Sequence, residues 1–359
     1  MSKAANEVSR KVVTLKDRSI QLVNRYLEPI MPFFEMPGVT DIFVNRYDEI
    51  YIKEKGIDKK TEAKFKSEEE VKKAITQIAN TLTQTCNEGH PILDARLPDA
   101  SRVCATLSNV SPKGHGFTIR VSKPDRLTAK QILDSGSLTD EMMKYLHMAT
   151  IAHQTMLVSG PTGSGKTTLL MALTDFIGND RVLSAEDTHE LRINVDNYKA
   201  LESPSREREE GDMHIDMARL IKTCLRETPK RIIVGEIRDA SAAAAFYEAI
   251  STGHSSWTTL HANSTFGAIR RLERLVCANT NLPYDLVKED VRSCVNVLVH
   301  AEDVPPHSKK KVVEIAEVID GEVKLLWKWD LVKQRHVSFT ENIDNSKAVQ
   351  VAKLYGETF

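Results

Sequence analysis

A glycine-rich loop is the part of the sequence best suited to chemistry. Residues 160–167 read GPTGSGKT and fit the pattern GxxxxGK[ST]. In such a loop, backbone N–H groups surround phosphate oxygens, the lysine reaches the β- and γ-phosphates, and the last hydroxyl binds Mg²⁺. We therefore predict a site for ATP and Mg²⁺, with Lys166 catalytic and Thr167 a metal ligand; the alternative is a flexible Gly/Ser loop. The residues assigned to nucleotide binding are Gly160, Pro161, Thr162, Gly163, Ser164, Gly165, Lys166, Thr167 and Thr168.

Hydrolysis also requires a group that orients the attacking water. Glu236 is the candidate, because it follows the apolar run Ile232–Val234. A carboxylate at the C-terminal end of a parallel strand lies beside a phosphate loop. Glu236 could also contact Mg²⁺ through water. Gly235 stands where a Mg²⁺-associated aspartate is usually expected, and an ordinary strand-end glutamate is the alternative.

Further polar residues follow two other predicted strands. Glu186 and Glu190 lie after one of them and could hold Mg²⁺-bound waters or polarise the nucleophile. His261 follows another strand and could hydrogen-bond the γ-phosphate and report its loss. Exposed acids at a strand end and a solvent-exposed or buried histidine are common, so each of these roles is a hypothesis.

Three arginines in the first third of the chain could stabilise charge in a phosphoryl-transfer transition state. They are Arg96, Arg102 and Arg120. An arginine supplied to a phosphate loop raises the rate about 10³–10⁵-fold in known cases. The alternative is that they form salt bridges on the surface.

Two kinds of pattern divide the chain. In the first region, short alternating runs and a helix opened by the capping box Ser67–Glu70 predict an α+β fold. After Ser122–Asp125, strands and helices alternate, which is typical of an α/β fold with a largely parallel sheet. The domains are assigned as 1–122 (N-terminal, α+β), 123–139 (linker) and 140–359 (C-terminal, α/β).

The predicted elements position these residues. Asp320–Gly321 predicts a hairpin turn. The predicted strands are 41–45, 50–52, 102–107, 117–121, 155–159, 181–185, 231–234, 256–260, 312–319 and 323–329. The predicted helices are 12–23, 67–84, 140–153, one from the glycine-rich loop to about 177, 213–225 and 240–251.

Composition narrows the class of protein. The 359 residues include 49 basic and 50 acidic side chains, so the net charge of -1 offers no general attraction to nucleic acid. Five cysteines without a CxxC pair favour reduced thiols in the cytoplasm. No run approaches the roughly 20 apolar residues of a membrane-spanning helix.

The assembled motifs resemble the type II/IV secretion ATPases, in particular their VirB11-like branch. LRETP at 225–229 with VGEIRD at 234–239 resembles the family's atypical Walker B segment, where glycine precedes the glutamate. EDTHE at 186–190 resembles its Asp box. The stretch from Gly253–His254 to TTLHAN at 258–263 resembles its His box. DIFVN at 41–45, PILDARLPDASRV at 91–103 and FTIR at 117–120 resemble the branch's N-terminal domain, so the resemblance runs from about residue 39 to about 330.

The resemblance implies a homo-hexameric ring. Each subunit would have a RecA-like P-loop C-terminal domain and a smaller α+β N-terminal domain, with nucleotide between them. Glu236 would be the catalytic glutamate, with Arg120, Arg102 and Arg96 approaching the phosphates from the N-terminal domain. The ring would be cytoplasmic, associated peripherally with inner-membrane components of a secretion or pilus machine. It would meet the secreted substrate indirectly and would not bind nucleic acid.

Some positions depart from the family pattern. Lys230 replaces a frequent acid, and Ser255–Ser256 replaces a usual glycine. A tetracysteine zinc insert and a retraction-motor helix motif are both missing from the sequence, which favours the VirB11-like branch. Within that branch, type IV secretion, for conjugation or for effector or pilus assembly, is preferred; a tight-adherence or other type IV pilus ATPase is the alternative.

Two other classes of function are compatible with a phosphate loop. A RecA-like nucleic-acid motor shares the phosphate loop but should carry a basic, aromatic binding groove, which the charge and 6% aromatic content do not suggest. A non-hydrolysing scaffold conflicts with the presence of Lys166, Thr167 and Glu236.

Overall fold

The computed structural model describes residues 23–54, 56–97, 99, 101–122, 126–203, 215–280, 282–305 and 309–356. These residues fall into two compact units, 23–122 and 126–356. The predicted N-terminal helix over residues 12–23 lies almost entirely outside the described residues. So does most of the predicted boundary at 122–125.

The first unit contains a six-stranded antiparallel sheet in the order β3-β2-β1-β6-β5-β4. The alternating runs predicted parts of four of these strands, but not β3 or β4. Apart from the edge strand β3, whose four residues are all exposed, the strands bury one face and leave the other more exposed. The strands are β1 Val39–Arg46, β2 Glu49–Glu54, β3 Ile57–Lys60, β4 Ile92–Arg96, β5 Arg102–Thr106 and β6 Gly116–Arg120.

Besides the helical residues 23–26, the described part of this unit contains α1 at Met31–Glu35, which follows a 3-10 turn at Glu28–Ile30, and α2 at Glu68–Thr81. The Ser67 side chain accepts from Glu70 N at 3.3 Å, as the capping box predicts. The Glu70 carboxylate, however, accepts from Lys66 N at 2.6 Å and not from Ser67. The predicted helix start is confirmed. The second bond of the capping box, however, comes from the N–H of Lys66, one residue before Ser67.

The second unit contains a nine-stranded sheet in the order β15-β14-β13-β12-β7-β11-β10-β8-β9. The strands β12, β7, β11, β10, β8 and β9 are parallel, as predicted, and β13 to β15 extend the sheet in antiparallel fashion. The strands are β7 Met156–Ser159, β8 Val182–Glu186, β9 Tyr198–Glu202, β10 Arg231–Val234, β11 Ser255–Leu260, β12 Val297–Val304, β13 Lys309–Ile319, β14 Glu322–Asp330 and β15 Arg335–Ser338.

Helices cover both faces of this sheet. On β7, Leu157 packs in one buried cluster and Val158 in the other, which explains the uninterrupted apolar run of that strand. The helices are α3 Ala129–Asp134, α4 Asp140–Ile151, α5 Lys166–Leu173, α6 Met217–Arg226, α7 Ala240–Ser251, α8 Thr265–Ala278, α9 Tyr284–Cys294, α10 Thr340–Asp344 and α11 Lys347–Leu354, with a 3-10 turn at Thr174–Phe176.

The structure differs from the sequence-based expectation in several places. The stretch predicted as a linker contains α3, whose Thr128 and Gln131 form a capping box and whose Ile132 is buried. Because Ala129 and Ile132 pack in a hydrophobic core of the second unit, α3 is part of that unit. Helix α6 begins at Met217, later than predicted, because Asp216 accepts from Arg219 N at 2.8 Å. The Asp320–Gly321 hairpin is confirmed, with positive φ at both residues.

Candidate active site

The phosphate loop connects β7 to α5, and its glycines are required by shape. Gly160 has φ +149°, and a Cβ there would lie 2.1 Å from the carbonyl oxygen of Ala301. Gly165 caps α5 with φ +94°. These conformations turn the loop back on itself and leave the first N–H groups of the helix facing the concave side. Ser164 Oγ is buried there without a hydrogen-bond partner among the described residues.

Lys166 lies in the first turn of α5 and points back over the loop. Its Nζ donates to the carbonyl oxygens of Gly160, at 2.9 Å, and Pro161, at 2.8 Å. Burial lowers the pKa of Lys166, and the nearby Glu236 carboxylate opposes that effect. The structure therefore concentrates positive charge where a phosphate would lie.

Hydrogen bonds from both neighbouring strands hold the backbone on either side of Glu236. Gly235 N donates to Ala185 O at 2.9 Å, and Thr259 Oγ1 donates to Gly235 O at 2.7 Å. Ile237 N donates to Thr259 O at 3.0 Å. Because both sides of Glu236 are held, its carboxylate has a defined direction at the C-terminal edge of the sheet. No motif in the sequence marked Thr259 as a positioning residue.

The two oxygens of the Glu236 carboxylate have different surroundings. Oε2 accepts from Arg238 Nε at 2.9 Å. Oε1 lies 2.9 Å from His261 Nε2, but without hydrogen-bond geometry, and it is buried without a partner in the described part of the chain. His261 Nδ1 lies 3.1 Å from Gly160 O, and since a carbonyl only accepts, Nδ1 is the donor. His261 thus connects the phosphate loop to Glu236.

Glu186 lies next to this group, but its carboxylate is occupied by its own turn. Oε1 accepts from the N–H groups of Glu190 and Leu191, both at 2.9 Å, and Oε2 lies 2.9 Å from His189 Nδ1. Glu186 is almost fully buried, whereas the Glu190 side chain is exposed. Glu186 therefore stabilises the turn at 189–191. The catalytic roles suggested for Glu186 and Glu190 stay predictions.

The three arginines predicted from sequence lie side by side in the first unit. Arg96 pairs in register with Arg102, and Arg102 with Arg120, so they form a row across β4, β5 and β6. Arg102 binds Asp94 at 2.7 Å, and Arg120 lies 3.3 Å from Asp41. Their role towards phosphate stays a prediction.

A cavity of about 780 Å³ opens beside the phosphate loop in the second unit. Its walls include Gly160–Thr162, His261 and three arginines of α8, Arg270, Arg271 and Arg274. No motif in the sequence marked these arginines, although their spacing of one and four residues places them close together on a helix. The wall of the site is therefore more basic than the motifs alone indicated.

Comparison with known proteins identifies the family. A family model described as "Type II/IV secretion system protein" matches residues 24–323. The chain belongs to this family. The resemblance drawn from the sequence motifs is thereby confirmed.

The chain is similar to the type IV secretion system protein VirB11 of Brucella suis. The two sequences are 29% identical over 78% of this chain and 86% of VirB11. The uncharacterized protein MJ0900 of Methanocaldococcus jannaschii is 31% identical over 82% of this chain and 54% of its own length. The chain thus spans about half of that archaeal relative.

Among solved structures, the ATPase DotB of Legionella pneumophila matches 94% of this chain and 87% of its own, with a TM-score of 0.59 and 21% identity. This likeness concerns the fold, a RecA-like P-loop domain with a smaller α+β domain, as predicted. Within the described residues, no helix is both long and apolar enough to cross a membrane.

Proposed function

We propose that this family member is a Mg²⁺-dependent ATPase that powers a type IV secretion machine. The observation that carries the proposal is the position of Glu236. Its Oε1 atom lies 2.9 Å from His261 Nε2, and the other ring nitrogen of His261 lies 3.1 Å from the phosphate loop. A carboxylate oxygen without a donor, next to a cradle for phosphates, is suited to accept a proton from an attacking water.

The described residues fit a bound Mg²⁺-nucleotide. The glycine turns give a concave cradle, and Ser164 Oγ is buried with no partner in the described structure. Thr167, in the first turn of α5, would hold Mg²⁺, with Glu236 as a second contact through water. The metal would neutralise charge on the β- and γ-phosphates.

The chain's own groups then have separate tasks. Lys166 would leave the carbonyls of Gly160 and Pro161 for the phosphate oxygens. Arg238 would hold one oxygen of Glu236, so that the other is directed at the water. His261 would exchange its contact with Gly160 for one with the γ-phosphate, and its return after hydrolysis would report the loss of that group.

The wider setting is also part of the proposal. Copies of this chain would form a hexameric ring in the cytoplasm, bound peripherally to inner-membrane components of the machine. The similarity to VirB11, which is named as a type IV secretion system protein, supports this setting. The row of Arg96, Arg102 and Arg120 supports a contribution of the first unit to phosphate binding.

The first test substitutes Lys166 and Glu236 separately. Lys166→Ala should lower the hydrolysis rate by about 10²-fold or more, because it removes the cation that stabilises the transferring phosphoryl group. Glu236→Gln should bind ATP normally and turn over about 10²–10⁴-fold more slowly, since it loses its general base. Phosphate release with Mg²⁺ and ATP measures the rate, and native mass spectrometry measures the ring.

Glu322→Gln is the matched control, because it makes the same change at an exposed position of β14. It should retain wild-type activity. Fast turnover by Glu236→Gln would remove that residue from the proposed role. Strong stimulation of the wild type by DNA would instead favour a nucleic-acid motor.

A further inference from the structure

A second, smaller cavity lies at the start of α5, in the same unit. Its volume is about 110 Å³, several times the roughly 30 Å³ that one water occupies in the liquid. Ser164, Gly165, Thr168 and Lys310 contribute to its wall. A Cβ built on Gly165 would lie 3.7 Å from Lys310 Cδ, so the lysine stem passes directly over the first turn of the helix.

Lys310 differs from its two lysine neighbours on β13. Alternation along the strand directs the Lys310 side chain away from those of Lys309 and Lys311, although Lys311 also contributes to the wall of this cavity. Lys311 donates to Gly136 O and lies 5.0 Å from the centre of the Trp329 ring. Lys310 has no hydrogen bond or ion pair with any residue that the structure describes, although Asp303 is its cross-strand neighbour.

Lys310 is exposed to solvent, and it adds to a group of positive charges at this end of α5. The N-terminus of α5 carries the positive end of the helix dipole, and Lys166 adds a full charge in its first turn. A bound anion would be stabilised here, because the helix N-terminus, Lys166 and Lys310 would all lie close to its negative charge. The buried, unpartnered hydroxyl of Ser164 in the same cavity also indicates a polar ligand.

We propose that Lys310 binds the α-phosphate of the nucleotide. This inference rests on the proposed ATP site. Lys166, His261 and Glu236 surround the Gly160 end of the loop, where the γ-phosphate belongs. Lys310 lies at the opposite end, over Gly165 and beside Thr168, where the polyphosphate chain continues towards the nucleoside. The hairpin of β12 and β13 therefore supplies a nucleotide contact outside the phosphate-loop motif.

Removal of the Lys310 charge should weaken the binding of both ATP and ADP, since both carry the α-phosphate. Lys310→Gln should raise both dissociation constants about tenfold, as is typical for a charge-assisted hydrogen bond. The same variant should raise the KM for ATP by a similar factor, because the contact is made in the ground state and the transition state alike.

The experiment uses the full chain and measures binding by isothermal titration calorimetry. ATP and ADP are titrated with Mg²⁺. The Rp and Sp diastereomers of ADPαS, in which sulfur replaces one α-oxygen, are titrated with EDTA, so that no divalent ion contributes. The wild type should prefer one diastereomer, and Lys310→Gln should lose most of that preference. Lys310→Arg should restore it, and a purely structural role would not affect it.

Lys309→Gln is the matched control, because it removes the same charge from the same strand on the opposite face. If Lys310→Gln and Lys309→Gln bind ADP and ADPαS alike, the inference is overturned while the proposed ATPase stands. If the wild type binds neither ATP nor ADP, both proposals fall together.

Discussion

At the residue scale, the position of the Glu236 carboxylate depends on the preceding residue, Gly235. A Cβ at position 235 would lie 3.1 Å from Glu186 Cγ, closer than most real Cβ contacts. Glu186 cannot easily move aside, because it is buried and its two oxygens are engaged by the turn at 189–191. A larger residue before Glu236, such as an aspartate, would therefore disturb the segment that positions the carboxylate.

This contact predicts the effect of Gly235→Ala. Overpacking at a rigid neighbour should lower the free energy of unfolding by about 1–3 kcal/mol and reduce kcat as Glu236 shifts. Urea unfolding and phosphate-release assays measure the two effects. Gly178→Ala is the control, since nothing lies within 4 Å of a Cβ at that glycine. Equal stability and activity of the two variants would contradict the explanation.

At the scale of elements, a buried carboxylate attaches the last helix to the sheet. Glu317 of β13 is fully buried and accepts from Lys347 N at 2.7 Å and Ala348 N at 3.2 Å, at the start of α11. It also accepts from Tyr145 Oη of α4 at 2.8 Å. Burial and the Glu317 charge raise the pKa of Tyr145 well above its usual value, so the phenol remains a donor. One side chain therefore joins three elements.

Glu317→Gln should lower the free energy of unfolding by about 1–3 kcal/mol, because an amide removes the charge from several hydrogen bonds in a buried site. Chemical denaturation measures this loss. Glu322→Gln, an exposed residue on the adjacent strand, should be neutral. If the Glu317 variant matched that control, the carboxylate would not be the attachment point of α11.

At the scale of the whole molecule, the proposed function assigns a role to the arginine row of the first unit. The first unit places Arg102 and Arg120 directly opposite each other on neighbouring strands. Like charges in such a pair are unfavourable in isolation, and Arg102 pairs with Asp94 and Arg120 with Asp41. The proposed role of the row towards phosphate can be tested by substitution.

Arg102→Gln and Arg120→Gln should each lower the kcat of the assembled protein, by up to about 10³-fold if the guanidinium stabilises the transition state. The thermal unfolding midpoint should change little, because exposed ion pairs contribute little to stability. Arg46→Gln is the control, as Arg46 lies on the same sheet outside the row and pairs with Asp48 at 2.6 Å. Wild-type rates in both row variants would exclude this role.

Much of the architecture was predictable because its signals are local. Strand–helix alternation, the Ser67 cap and the Asp320–Gly321 turn each depend on a few neighbouring residues, and the structure contains all three. By contrast, the predicted elements did not include helices α1, α3 and α8 to α11 or strands β3, β4, β9, β12 and β15. Most of these elements are short, and packing against distant residues decides their conformation. Helices α8 and α9 are longer and amphipathic, so their periodicity could have predicted them.

The sequence by itself determined the chemistry of the phosphate loop and the presence of a glutamate after the strand at 231–234, since both are written in contiguous residues. Only the tertiary structure decided that Glu186 closes a turn, that Thr259 holds the backbone beside Glu236, and that Lys310 lies over Gly165. These contacts depend on the strand order β12-β7-β11-β10-β8, which brings together residues far apart in the chain. Strand order is a property of long-range packing, and no local pattern encodes it.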